Sequence, residues 1–113
     1  MVLNLKERKK KTFDIVLLDG TELHIKKATE EQIIELEEYE KKLRVVKSVK
    51  DVFECTRKMT LDILNRNTAG KVYDALFFES KDEDGEPLYN YEVCLAICKE
   101  YIQFTYGVLN NPN

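Results

Sequence analysis

Apolar and polar positions alternate twice near the start of the chain. Phe13, Ile15 and Leu17 recur at every second residue, Asp19-Gly20 breaks the run, and Leu23 and Ile25 then alternate with Glu22, His24 and Lys26. A period of two is the signature of a strand with one covered face, so 12–27 predicts a β-hairpin. Asp-Gly commonly marks a two-residue turn. Parity opposes it here, because that loop would set Leu17 against Glu22 and Ile15 against His24. A three-residue loop, Leu18-Asp19-Gly20, pairs Ile15 with Leu23 and Phe13 with Ile25 and gathers one apolar stripe, with Gly20 free to turn left-handed. Two strands alone are marginal, so helices or another chain must cover that stripe.

Beyond Thr29 the period lengthens to that of a helix. Thr29-Glu30-Glu31-Gln32 fits a capping box, and Lys41, Lys42, Arg44 and Lys47 crowd the end where the helix dipole favours cations. Leu36, Tyr39, Leu43 and Val46 form a narrow apolar seam over a helix of about 30–47, with Ile34 and Val45 on the far side. A second helix, about 49–66, carries Val52, Thr56, Met59 and Ile63 as its central stripe. A short helix over about 71–79 would bury Val72, Ala75, Leu76 and Phe78, and 80–87 is a loop by composition. The last helix, about 88–108, is apolar over roughly twice the ~100° arc of an ordinary surface helix. Only Glu92, Ala96, Lys99, Glu100 and Gln103 form a polar sector. It is the central helix of the domain, or part of it meets another chain, and the two readings are compatible. The pattern predicts an α+β fold, mainly helical: an N-terminal hairpin followed by three to four helices in one domain, 12–113, behind a flexible basic arm, 1–11.

Composition narrows the class without naming a reaction. With 113 residues, 43% hydrophobic and 35% charged, the chain suits one compact domain and neither a wholly disordered nor a membrane protein. The longest apolar run, Val93 to Cys98, falls far short of the ~20 residues of a spanning helix. No apolar segment follows the first basic residues as a secretory signal requires, so a cytoplasmic location is expected. The net charge of −3 is uneven: five basic residues and one acidic give 1–11 a charge of +4, leaving −7 on the rest. Such an arm could attract nucleic acid, but it has no interleaved aromatics for stacking, and the acidic body would repel a duplex.

Candidate chemistry mostly fails on its own spacing. Cys94 and Cys98 share a helix face, but only Cys55 and His24 remain to complete a zinc site, and both lie on apolar-patterned elements. Buried structural thiols are the expectation. Setting Gly85 at the sixth position of a calcium loop puts Tyr91 at the twelfth, where a bidentate glutamate is needed. Gly70-Lys71 lacks the rest of a phosphate loop, and no nucleophile elbow or paired histidines occur. No catalytic, cofactor-binding or metal-ligating residue is assigned, and no enzyme activity is expected.

The run from Thr12 to Thr29, two short strands around Asp19-Gly20 and then a capped acidic helix, resembles the opening of tail assembly chaperones from long-tailed bacteriophages. Small helices follow in that family, including a stretch similar to Asp62-Ile63-Leu64-Asn65 before a turn. The basic arm and the 82–86 loop lie outside the resemblance, which spans most of the rest of the chain. It implies a non-enzymatic protein of the bacterial host cytoplasm, absent from the mature virion, that coats the helical tape-measure protein and helps recruit tail-tube subunits. In many such phages a frameshift also yields a longer form. The physical mechanism would be helix-in-groove recognition, with Tyr91, Tyr101, Phe104 and Tyr106 as candidate partner-binding residues. Homo-oligomerisation could use the same surface or the open hairpin edge. The alternative is a small nucleic-acid-binding regulator acting through Lys6 to Lys11.

Overall fold

The computed structural model describes residues 2–6, 11–45 and 48–110. Its element order is strand β1 (Thr12–Val16), strand β2 (Glu22–Lys26), helix α1 (Glu30–Arg44), helix α2 (Val49–Leu64), a 3₁₀ helix (Ala75–Glu79) and helix α3 (Tyr91–Asn110). This is the α+β, mainly helical architecture that the periodicities predict.

The hairpin takes the register of the three-residue loop. Phe13 faces Ile25 and Ile15 faces Leu23 across an antiparallel pair. The Leu17 N–H donates to the Thr21 carbonyl at 2.8 Å, and Gly20 takes the left-handed φ of +89° that closes the loop. Segment 66–68 then runs along the far edge of β2, with Lys26 N–H donating to the Arg66 carbonyl and Thr68 N–H to the His24 carbonyl.

Each helix starts on a side chain that accepts an otherwise unpartnered N–H. Thr29 Oγ1 takes the Gln32 N–H at 3.1 Å, Ser48 caps α2, and Asn90 Oδ1 takes the Val93 N–H at 3.0 Å. The last cap starts α3 at Tyr91 rather than near residue 88, leaving Leu88 and Tyr89 ahead of it. At the other ends, α1 stops at Arg44 and α2 at Leu64, short of residues 47 and 66. Val46 and Lys47 lie outside the described residues.

The helix expected over 71–79 is corrected. Only Ala75–Glu79 is helical, and as a 3₁₀ turn. Two side-chain amides explain it: Asn67 holds the Lys71 backbone through both its N–H and its carbonyl, and Asn65 does the same for Tyr73. Those backbone groups are therefore committed before a helical turn can form. Val72, Ala75 and Leu76, expected inside, are exposed and Phe78 is half-buried, while Phe77 is buried and stacks on Tyr89 at 3.9 Å.

The core lies where α3 and α2 pack together beneath the hairpin. Leu23, Ile25, Ile63, Leu64, Cys98 and Tyr101 are at most 1% exposed. Its polar members are paired: the Tyr39 and Thr56 hydroxyls share a hydrogen bond at 2.8 Å, and the Thr60 hydroxyl donates to the Thr56 carbonyl at 2.8 Å. The wide apolar face of α3 is thus used mainly within the domain. Cys94, Ile97, Cys98, Tyr101 and Ile102 are buried, while Glu92, Ala96, Lys99, Glu100 and Gln103 face outward as the polar sector.

Candidate protein-binding surface

The four aromatic residues singled out on α3 do not form one surface. Tyr101 is a correction: it is wholly buried, and its hydroxyl donates to the Lys26 carbonyl at 2.6 Å, tying α3 to the end of β2. A buried phenol needs such an acceptor, and burial holds its proton above the usual range. Phe104 is half-buried, its ring 5.6 Å from Phe13 and 6.0 Å from Tyr101. Tyr91 is half-buried against Phe53 at 4.8 Å, at the opposite end of the helix. Tyr106 remains exposed, and its hydroxyl donates to the Glu40 carboxylate, which raises the phenol's pKa.

Two open clefts instead lie along the end of α1. A cleft of about 320 Å³ lies between α1 and the start of α2, lined by Lys42, Leu43, Val45, Asp51, Val52 and Cys55. A second, of about 440 Å³, lies between α1 and α3, lined by Tyr39, Glu40, Leu43, Arg44, Lys99 and Ile102. Leu43 belongs to both. The seam of α1 explains this geometry: Leu36 and Tyr39 are each 2% exposed, but Leu43, one turn on, is only half-covered. Val45 and Val49 then stand exposed at the α1–α2 corner. Cations frame the site, since Lys41, Lys42 and Arg44 occupy the last turn of α1. Earlier turns present exposed glutamates, including Glu35 and Glu38. Those two line a third cleft with Asp62, whose carboxyl is raised by burial.

The sequence seam pointed to Leu43 but not to its exposure, because a period marks a face and not where the covering neighbour stops. Val45, placed on the far side by the same period, shares the first cleft because the helix ends there and the chain turns.

Other chemistry-bearing residues sit in structural roles. Burial pushes the Cys98 thiol up to about 12, and it lies 3.5 Å from the Thr60 hydroxyl. Burial also raises Cys94, whose thiol donates to the Tyr89 carbonyl. Asp82 closes its own loop by accepting the Asp84 and Glu86 N–H groups at 2.8 and 2.9 Å. Among the described residues no group of three or more His, Cys, Asp or Glu is placed to hold a metal ion, and no helix is long and apolar enough to cross a membrane. Of the basic arm, Lys6 and Lys11 are exposed, and residues 7–10 lie outside the described residues. Comparison with protein-family models, with curated proteins and with solved structures returned no match.

Proposed function

We propose that the chain is a non-enzymatic tail assembly chaperone of a long-tailed bacteriophage. It covers apolar stripes of the helical tape-measure protein in the host cytoplasm and helps recruit tail-tube subunits. The partner's identity comes from the resemblance of Thr12 to Thr29; the observation that supports a binding role is the pair of clefts meeting at Leu43. A helix presenting apolar residues every third or fourth position needs such a groove, with polar groups at its edges to fix orientation. Leu43, Val45 and Val52 supply the apolar floor, and Lys42 and Arg44 favour a partner with acidic residues beside its stripe. Tyr106, at the open end of α3, extends the contact.

Co-purification with helical tape-measure segments tests this. The wild type should retain them, and Leu43→Asp and Val52→Asp should each weaken retention at least tenfold while leaving the far-ultraviolet spectrum unchanged. Deleting residues 1–11 should leave retention intact, whereas a nucleic-acid regulator would lose its salt-dependent binding with that arm. Failure of the wild type to retain any tape-measure segment would overturn the proposal.

A further inference from the structure

The hairpin has one closed edge and one open edge. Hydrogen-bonded pairs alternate along an antiparallel ladder. Leu17 bonds to Thr21, so with the observed register the bonded pairs are Leu17/Thr21, Ile15/Leu23 and Phe13/Ile25. The backbone groups of Glu22, His24 and Lys26 therefore turn to the far edge of β2. There the His24 carbonyl accepts from the Thr68 N–H, the Lys26 N–H donates to the Arg66 carbonyl and the Lys26 carbonyl accepts from the Tyr101 hydroxyl. Those of Thr12, Asp14 and Val16 turn to the far edge of β1. Among the described residues no hydrogen bond reaches them.

We propose that this edge pairs antiparallel with the same edge of a second copy, about a two-fold axis at Asp14. The shared sheet then has four strands, Thr12 of each copy faces Val16 of the other, and the three N–H and three C=O groups of each edge all find partners.

Three observations select a second copy. The edge is self-complementary in this register, since the outward residues are symmetric about Asp14. The apolar layer beneath it is unfinished: Leu23 and Ile25 are buried, but Phe13 and Ile15 are only half-covered, and the register sets Phe13 of each copy beside Ile15 of the other. Because segment 66–68 already lies along the far edge of β2, a further copy cannot add there, and pairing closes on a dimer rather than a filament. Facing carboxylates at the axis oppose the contact. Each Asp14, however, already accepts from its own Thr12 hydroxyl at 2.6 Å and its own His24 imidazole at 2.7 Å, which draws its charge back toward its own hairpin. The dimer uses no residue of the Leu43 clefts, so it stands or falls apart from the chaperone reading.

Sedimentation equilibrium on the full chain should give twice the 13.3 kDa of one copy at high concentration. Val16→Pro removes an outward N–H and none that faces β2, and edge strands accept proline at such positions. It should return the monomer mass with an unchanged far-ultraviolet spectrum. As a second route, Asp14→Cys in a Cys55→Ser background should be joined into dimers by a short bismaleimide. Val16→Cys in the same background should not, because its two copies lie roughly 13 Å apart along the strands. A wild-type monomer at every concentration, a Val16→Pro dimer, or equal crosslinking of the two cysteine variants would each overturn the proposal; the first would also leave the edge to a strand of another protein.

Discussion

Asp14 joins both strands of the hairpin on its outer face. It accepts from the Thr12 hydroxyl on its own strand and from His24 Nδ1 directly across the ladder. Bonds that favour the carboxylate lower its pKa, the Thr12 hydroxyl contributing most and His24 next. The same contact raises His24, first through the hydrogen bond to Asp14 and then through its charge. The two shifts bound a pH window. The His24 contribution is fully present below the ordinary imidazole value of 6.5 and is lost as pH rises through its raised folded value. The Asp14 contribution is present above the ordinary 3.8 and is lost as pH falls through its lowered folded value. The pair therefore stabilises most between those two ordinary values. Both side chains are exposed, so the effect is small and falls with salt. His24→Ala should lower the thermal midpoint more at pH 5.5 than at pH 8.5. Equal losses at both pH values would show that the imidazole acts only as packing.

At the scale of elements, side-chain amides decide where α2 ends and how the chain leaves it. Asn67 is buried, faces Ile25 in an isolated bridge, and uses its amide on the Leu64 carbonyl and on both backbone groups of Lys71. Replacing it with alanine strips three bonds and leaves the N–H and carbonyl of Lys71 without the amide that holds them, at a cost of about 2–3 kcal/mol. Asn65→Ala, at an exposed site with two bonds, should cost less than half as much. Urea titration of both variants checks this ranking, and an Asn67→Ala midpoint equal to wild type would refute it. The hairpin register was legible because parity is a local property of Phe13, Ile15, Leu23 and Ile25. The conversion of the 71–79 helix into a 3₁₀ turn was not, since nothing in the run Asn65-Arg66-Asn67 states which backbone groups its amides will bind. The four α3 aromatics lie in separate places for a related reason. The wheel measures how much of a helix is apolar, but Tyr101 went to the hairpin, Tyr91 to Phe53 and Tyr106 to Glu40 through contacts 38 or more residues apart in sequence.

Over the whole molecule, cohesion is distributed unequally. The hairpin, α2 and α3 share the buried core, whereas α1 is anchored by Leu36 and Tyr39 and then touches it only through the half-buried Leu43. Tyr39 is the last firm attachment: its hydroxyl reaches Thr56, and burial raises its pKa above the usual phenol range. Past that residue, Leu43 spans two open clefts and Val45 is exposed, so the final turn of α1 gains little from burial. Local opening free energy follows buried contact. Hydrogen exchange should then be slowest for Thr56 to Leu64 and Cys94 to Ile102, and much faster for Glu40 to Arg44. A helical partner seated at Leu43 would bury that turn and slow its exchange by at least tenfold, with little change in the core helices. Equal protection of Glu40 to Arg44 and of α3 in the free protein would mean that the clefts are already filled by the chain itself, and a groove that is already filled cannot receive a helix.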